Sequence, residues 1–247
     1  MIKERIFRVP RLKTNRILEK FAKDFSGDII NVSGSNDLDK NASLKDYYFG
    51  NYDNGKRYKD YFINARSYTV SNYPGDKTEI NLDKTAMLSI DLEKDIPVEL
   101  LGKYDVVFNH TVFEHIFDVF TAFKNLCSIS KDVIIFIVPQ FQQIHDYERG
   151  YKDYWRFTPF SVDCLFKKNG YTVLYRETTY GFSESMYLFY IASKQPEKWR
   201  EKFTPILSAE AYINNRNNGS SFTLFSKYLL LAETLFRKMF SIKPKNY

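Results

Sequence analysis

The segment HDYERGYKDYWRFTP, which begins at His145, holds the side chains best suited to chemistry. The imidazole of His145 titrates near neutral pH and can accept a proton from a hydroxyl group; the alternative is an ordinary surface-loop histidine. Arg156 can bind a phosphate or carboxylate of a substrate, with Tyr154 close by in the chain. Arg156 can equally pair with Asp153 or Glu148 and simply hold the loop. The segment therefore indicates a base and an anion contact for a small molecule.

A second polar pair, Asn109 and His110, ends the apolar run YDVVFNH. Such a run predicts a buried strand, and ligands bind to α/β sheets at the carboxyl ends of the strands. Both side chains are therefore expected near the reacting centre. Glu114 and His115 follow within a helical pattern, where a capping and packing role is the preferred interpretation.

The elements that must position these side chains are short apolar runs alternating with helical patterns. Strands are predicted at 28–33, 68–73, 86–90, 104–109, 133–138, 171–175 and 187–192, and helices at 11–25, 57–62, 111–128 and 160–169. Strands without clean alternation, separated by helices, are typical of a parallel sheet covered on both faces. Trp155 and Phe157 are expected to lie in the core rather than against a ligand.

The chain is predicted to form one α/β domain over residues 1–193 and a helical extension over 194–247. Within the first part, 1–27 carries an N-terminal helix, and 38–66 is polar, aromatic and unpatterned, which indicates an irregular insertion. Segment 222–240 has apolar residues on one broad helical face. This pattern favours packing on the domain or on a second subunit, and the alternative is peripheral contact with an anionic membrane.

Composition restricts the classes of function. The 36 basic and 30 acidic residues give a net charge of +6, which favours anionic small molecules or a loose membrane association and does not require nucleic acid. A solvated basic surface without such a role is the preferred interpretation. The two cysteines, Cys127 and Cys164, are far apart and indicate neither a disulfide framework nor a metal cluster. No apolar run approaches the roughly 18 residues of a membrane span. A soluble, cytoplasmic protein without a bound metal is expected.

Two blocks of this sequence resemble class I S-adenosylmethionine-dependent methyltransferases. YDVVFNHTVFEHI, over 104–116, resembles the family's "fDvV…evLEHv" block, and HDYERGYKDYWRFTP, over 145–159, resembles its "H…DyyRfT" block. The second block marks a subset often met in surface-polysaccharide and small-metabolite pathways. The resemblance covers roughly residues 20–192. It implies a Rossmann-like sheet, mostly parallel with an antiparallel last strand, with helices on both faces, and S-adenosylmethionine as cofactor.

The resemblance also implies which residues hold the cofactor. The family's glycine-rich loop corresponds here to a loop with one glycine, expected beside the cofactor's amino-acid part: Ser33, Gly34 and Ser35. Asn72 falls where the family has a ribose-binding acid, and Asp83 is the alternative in another strand register. Asp91 is expected at the adenine amine, or else as an ordinary loop or capping charge. Asn109 and His110 complete the cofactor-binding set.

These observations predict an S-adenosylmethionine-dependent methyltransferase, with His145 as base and with Tyr154 and Arg156 at the substrate. The predicted reaction is O-methylation of a small anionic or sugar-containing acceptor in surface-polysaccharide (capsule) synthesis, including a phosphoramidate group. The single-glycine loop supports an alternative, a degenerate fold that serves as a binding or scaffold subunit. An RNA or protein methyltransferase is the third hypothesis, and only the basic charge supports it.

Overall fold

The fold is seen in a computed structural model, which describes residues 9–34, 37, 57–74, 87–142, 144, 152–180 and 186–203. Several predictions of the preceding section fall outside these residues. They concern Ser35, the alternative ribose contact Asp83, the candidate base His145 and the C-terminal helix at 222–240.

A seven-stranded sheet forms the centre of the described chain. Its strands are β1 (Gly27–Asn31), β2 (Ala65–Asn72), β3 (Met87–Ser89), β4 (Tyr104–His110), β5 (Ser130–Phe141), β6 (Thr172–Tyr180) and β7 (Met186–Ser193). Their spatial order is β3-β2-β1-β4-β5-β7-β6. The neighbours from β3 to β5 pair in parallel, and β7 runs antiparallel to both β5 and β6. This confirms the predicted mostly parallel sheet with an antiparallel strand at its end.

Among the described residues, three α-helices cover the sheet: α1 (Val9–Ala22), α2 (Val119–Ile129) and α3 (Pro159–Lys168). Successive side chains of a strand point to opposite faces, and β5 shows the consequence. Ile134 and Phe136 belong to the core shared with α2 and α3, whereas Ile135 and Ile137 belong to the core shared with α1. The run VIIFIV is continuously apolar because both faces of this strand are covered.

The predicted helix over 111–128 is wrong over residues 111–118, nearly half of its length. Thr111 adopts a left-handed backbone with φ of 52°, a 3-10 turn follows at Phe113–His115, and α2 begins only at Val119. The carboxylate of Asp118 accepts a hydrogen bond from the Thr121 N–H at 3.1 Å and thereby caps α2. Glu114 and His115 therefore lie in the 3-10 turn and not in a helix.

Other elements differ from the predictions mainly in length. β2 begins at Ala65, three residues before the predicted strand, because it pairs with β1 from that point. β6 continues to Tyr180, because it pairs with β7 along its whole length. The short helix predicted at 57–62 is a 3-10 turn at Tyr58–Tyr61. Phe157 is buried as predicted, and Trp155 is half-buried against the same core.

Within the described ranges, no helix is both long and apolar enough to cross a membrane. The same residues contain no group of three or more His, Cys, Asp or Glu side chains arranged to hold a metal ion. Cys127 is buried and Cys164 is exposed, and both are free thiols.

Candidate functional site

The sheet order places a crevice at the carboxyl ends of β1 and β4. On one side of β1 lie β2 and then β3, and on the other side lie β4 and then β5, so the strand order changes direction between β1 and β4. A reversal of this kind leaves room between the connections, and it is where open α/β sheets bind their ligands. The loop at Ser33 and Gly34 and the pair Asn109 and His110 lie at this edge, as the sequence predicted.

The loop after β1 is fastened to β2. The N–H of Ser33, whose φ is 56°, donates to Ser71 Oγ at 3.2 Å, and the N–H of Gly34 donates to the Ser71 carbonyl at 2.9 Å. A Cβ at Gly34 would lie only 2.4 Å from Asn31 Nδ2, so this position has no room for a side chain unless Asn31 moves. Glycine suits this position because the Asn31 side chain fills the space that a Cβ would need, and not because of its backbone angles.

A buried carboxylate beneath this loop was missed by the sequence reasoning. Asp37 is 2% exposed, and its side chain accepts hydrogen bonds from Asn31 Nδ2 at 2.7 Å, the Tyr68 hydroxyl at 2.7 Å and the Lys59 N–H at 3.1 Å. Burial raises the pKa of Asp37, and the bonds from Asn31 and Tyr68 oppose that rise. The cluster holds Asn31 in place under Gly34. The only signal in the sequence was an acidic residue shortly after the loop.

Asn109 joins the carboxyl ends of β1 and β4, and one of its two side-chain polar atoms makes no hydrogen bond with the described residues. Its Nδ2 donates to the carbonyl oxygen of Val32 at 3.0 Å, and its side chain is fully buried. Its Oδ1 has no hydrogen-bond partner among the described residues. A buried acceptor without a donor is destabilising by about 1–3 kcal/mol, so this atom is suited to a donor group of a ligand.

His110 faces helix α1 and not the loop after β1. Its Nε2 lies 3.1 Å from Thr14 Oγ1, and its Nδ1 lies 3.1 Å from Thr111 Oγ1. Burial, and then the nearby Arg11 guanidinium, lower the pKa of His110 well below its usual value, so the ring is neutral. Three aromatic side chains surround it: Tyr58, Phe108 and Tyr187. Its predicted contact with the cofactor stays a prediction.

Asn72 and Asp91 lie at the same edge but already make local contacts. Asn72, the last residue of β2, accepts a hydrogen bond on Oδ1 from the N–H of Tyr73 at 2.9 Å. Asp91 follows β3 and accepts on Oδ1 from the N–H of Glu93 at 2.9 Å. These bonds hold both side chains at the carboxyl ends of β2 and β3. Their roles at the ribose and the adenine amine remain predictions.

The two blocks that carry the family resemblance contact each other. We name residues 152–157 the strap, because it lies across the 3-10 turn that follows β4. The N–H groups of Tyr154 and Trp155 donate to the carbonyl of Glu114 at 2.7 and 3.2 Å. His115 Nδ1 donates to the Lys152 carbonyl at 2.9 Å. The strap is thus held against the 3-10 turn that follows β4.

Arg156 holds the strap through a two-point ion pair. Its guanidinium binds both carboxylate oxygens of Asp153, whose side chain is 1% exposed, and its Nε donates to the Gln142 carbonyl at 3.2 Å. The hydrogen bond that Arg156 donates to Asp153 is the main reason that the pKa of Arg156 is raised. This confirms the pairing with Asp153 that the sequence left open. Tyr154 is 48% exposed, and its ring meets the Phe117 ring edge-on at 5.4 Å between centroids.

Comparison with known proteins shows the fold. No protein-family model and no curated protein matches the sequence. The structure is similar to 1,6-didemethyltoxoflavin-N1-methyltransferase from Burkholderia thailandensis, solved with 1,6-didemethyltoxoflavin and S-adenosylhomocysteine, with a TM-score of 0.52 and 10% identity over 73% of this chain and 78% of that chain. The chain has the fold of class I methyltransferases.

Two further solved structures are similar at lower TM-scores. One is a putative S-adenosylmethionine-dependent methyltransferase from Listeria monocytogenes, with a TM-score of 0.48 and 15% identity over 74% of this chain and 98% of that chain. The other is magnesium protoporphyrin IX methyltransferase from Synechocystis PCC 6803 with S-adenosylhomocysteine bound, with a TM-score of 0.47 and 11% identity over 78% of this chain and 87% of that chain.

Proposed function

We propose that the protein is an S-adenosylmethionine-dependent methyltransferase that acts on a small acceptor. The observation that carries the proposal lies at the carboxyl ends of β1 and β4. The tight loop at Gly34 follows β1 there, and Asn109 bonds to the Val32 carbonyl while its buried Oδ1 has no hydrogen-bond partner among the described residues. Both features suit the methyltransferase fold, in which a ligand occupies this edge of the sheet.

Each residue at the crevice has a proposed task. When bound, S-adenosylmethionine supplies a methyl group activated by a positively charged sulfur. The loop at Ser33 and Gly34 lets the backbone come close to the amino-acid part, and Asn109 Oδ1 accepts a bond from its ammonium group. Asn72 binds the ribose and Asp91 the adenine amine. The reaction has two further requirements. The acceptor must lie in line with the bond between the sulfur and the methyl group, and a base must accept the acceptor's proton.

The proposed acceptor is a small anionic or sugar-containing molecule, methylated on oxygen. The resemblance to surface-polysaccharide enzymes supports this class, including a nucleotide-linked sugar or a phosphoramidate group in capsule synthesis. The exposed Tyr154 ring beside Phe117 offers a surface on which a sugar ring can pack. The guanidinium of Arg156 already binds Asp153, which weakens the case for its contact with an anion of the substrate. His145 stays the sequence-based candidate for the base.

Thermal unfolding with millimolar S-adenosylhomocysteine tests the proposal. A ligand that binds only the folded state raises its stability, by about 2.7 kcal/mol when its concentration is a hundred times Kd. We expect a rise in Tm for the natural protein and a smaller rise for Asn109→Ala. Adenosine diphosphate serves as the control ligand. An unchanged Tm with S-adenosylhomocysteine would refute cofactor binding and with it the proposed activity.

A degenerate methyltransferase fold that acts as a binding or scaffold subunit is the second candidate. It is favoured by one observation: the N–H groups of Ser33 and Gly34 both bond to Ser71, so neither is available to a ligand in this arrangement. Ser71→Ala separates the two candidates. For an enzyme, the variant releases the Ser33 N–H and leaves S-adenosylhomocysteine binding intact or tighter, whereas a scaffold shows no binding in either form.

A further inference from the structure

The described residues contain a strained position at the end of the central strand. Thr111 directly follows β4 and has φ of 52°. A β-branched residue is a genuine outlier in the left-handed region, so the backbone is strained at this position. The surrounding structure holds it there, because the Thr111 N–H donates to the Ile137 carbonyl at 2.8 Å. Strain of this kind persists where the conformation has a use.

The left-handed turn brings two neighbouring side chains together. Successive residues of a strand point to opposite faces, so His110 and Thr111 would not meet in an extended chain. Here Thr111 Oγ1 lies 3.1 Å from His110 Nδ1. His110 is only 7% exposed, whereas Thr111 is half-buried and lies at the carboxyl end of β4. Thr111 can therefore contact a small molecule that His110 cannot reach.

The hydrogen bonds determine which ring nitrogen of His110 accepts a proton. Thr14 Oγ1 donates its one hydrogen to the Arg11 carbonyl at 2.8 Å, so it can only accept from His110 Nε2 at 3.1 Å. In a neutral imidazole, a hydrogen on Nε2 leaves Nδ1 as the acceptor. The Thr111 hydroxyl must then donate to Nδ1, which leaves the lone pairs of its oxygen for another donor.

We propose that Thr111 and His110 form the proton-accepting pair of the methyl transfer, in place of the predicted base His145. The inference rests on the proposed methyltransferase function. As the acceptor's oxygen bonds to the incoming methyl group, its O–H bond breaks and the proton goes to Thr111 Oγ1. The hydrogen already on Oγ1 passes to His110 Nδ1, whose ring becomes an imidazolium. Thr111 is the catalytic residue, and His110 acts through it.

The charge balance of the reaction suits a buried histidine. An isolated imidazolium is disfavoured at a buried site, because desolvation opposes its charge. The methyl donor, a sulfonium, is converted to a neutral thioether in the same step, so the net charge of the crevice does not change. The groups that face His110 from the packed elements are Arg11 of α1, Tyr58 of the 3-10 turn and Tyr187 of β7, with no carboxylate among the described neighbours.

The first test compares three variants with the natural protein. Thr111→Val removes the hydroxyl and keeps the shape, Thr111→Ser keeps the hydroxyl, and Thr111→Gly removes it while relieving the strained φ. Methyl transfer from radiolabelled S-adenosylmethionine is measured with glucose 1-phosphate, UDP-glucose and catechol as probe acceptors. We expect turnover to fall about 100-fold or more in Thr111→Val and Thr111→Gly, with Thr111→Ser within about tenfold of the natural protein. Binding of S-adenosylhomocysteine should be equal in all four proteins.

The stability and pH profile supply readouts that a merely structural role would not produce. Thr111→Gly should have a higher Tm than the natural protein while losing turnover, because the strained backbone is relieved. The pH profile of turnover should be flat above about pH 6.5, since His110 is already neutral there, whereas a histidine with an ordinary pKa gives a rise near that value. Equal turnover of Thr111→Val and the natural protein, or a His145→Ala variant that alone abolishes turnover, would overturn the inference.

A second test needs no acceptor. The chain has three histidines, so the ring nitrogens of protein labelled with ¹⁵N-histidine can be assigned by substitution. We expect neutral His110 with its hydrogen on Nε2, and an Nδ1 signal that moves in Thr111→Val and stays in Thr111→Ser. A protonated ring near neutral pH, or a hydrogen on Nδ1, would exclude the pair even if no probe acceptor is methylated. Failure of the natural protein to bind S-adenosylhomocysteine would instead refute the proposed function.

Discussion

Asn109 donates from Nδ2 to the carbonyl oxygen of Val32 at 3.0 Å and so joins the carboxyl ends of β4 and β1. These are the two strands between which the sheet order reverses. The same side chain therefore holds the two strand ends together, and its buried Oδ1 has no hydrogen-bond partner among the described residues. The proposed function therefore gives this residue both a structural and a ligand-binding role.

Replacing Asn109 by Ala should weaken both properties. The substitution leaves the Val32 carbonyl without its donor, and we expect a loss of about 1–3 kcal/mol in the free energy of unfolding, measured in urea. Affinity for S-adenosylhomocysteine, measured by calorimetry, should fall at least tenfold. Asn169→Ala is the matched control, because Asn169 Nδ2 also donates to a carbonyl, that of Leu165, but at the end of α3. Equal affinity in both variants would contradict the assignment.

Gly34→Ala tests the tight loop after β1. The new Cβ would lie 2.4 Å from Asn31 Nδ2, so Asn31 must move and its bond to Asp37 is disturbed. We expect a loss of about 1–3 kcal/mol in the free energy of unfolding and a clear loss of S-adenosylhomocysteine affinity. The control is Gly102→Ala, where φ of 56° causes strain but no atom lies within 4 Å of the Cβ. That variant should lose stability and retain the ligand.

The ion pair of Arg156 and Asp153 is expected to stabilise the strap. Arg156→Lys cannot reproduce the two-point contact, and Arg156→Ala leaves the nearly buried Asp153 carboxylate without its partner. We expect Arg156→Ala to lower the free energy of unfolding by about 3–5 kcal/mol, and Asp153→Asn to restore part of it. A double-mutant cycle in urea measures this coupling. If Arg156→Ala leaves stability unchanged, the pair has no structural role.

The two thiols should differ strongly in reactivity. Burial raises the pKa of Cys127 to about 12, so almost no thiolate forms near neutral pH, whereas Cys164 is exposed. We expect a disulfide reagent that releases a coloured thiol to modify one cysteine quickly and the second only after unfolding. Cys164→Ser should abolish the fast phase, and Cys127→Ser should not change it. A fast phase in Cys164→Ser would show that Cys127 is accessible.

Acid should weaken a charge contact between β1 and β2. The bond from Arg66, and then that from Ser67, lower the pKa of Asp28 from 3.8 to about 2. A lowered carboxyl pKa stabilises the folded state above the unfolded value, and this contribution is lost as the pH falls from about 4 to about 2. Asp28→Asn should therefore lower Tm near neutral pH but not near pH 2. A constant difference across this range would contradict the pairing.

The sheet could be predicted because its signals are local. The runs at β1, β4 and β5 are apolar along their whole length, and each is bounded by polar or helix-forming segments. The region from Thr111 to Asp118 was predicted incorrectly because its apolar spacing suits a helix. In the folded chain the strap supplies hydrogen bonds to Glu114 and replaces the helical ones. The cap at Asp118 then sets the true start of α2.

The amino-acid sequence by itself determined the strands, their parallel arrangement and the presence of Gly34, Asn109 and His110 at their carboxyl ends. It did so because a strand that is buried on both faces, and the residues that follow it, can be recognised from neighbouring positions in the chain. Only the tertiary structure decided the partners of these side chains. Thr14 meets His110 across 96 positions of sequence, and Asp37 gathers donors from Asn31, Tyr68 and Lys59. A hydrogen bond requires its two polar atoms to lie about 3 Å apart. For residues that are far apart in the sequence, only the packing of separate elements against each other sets that distance.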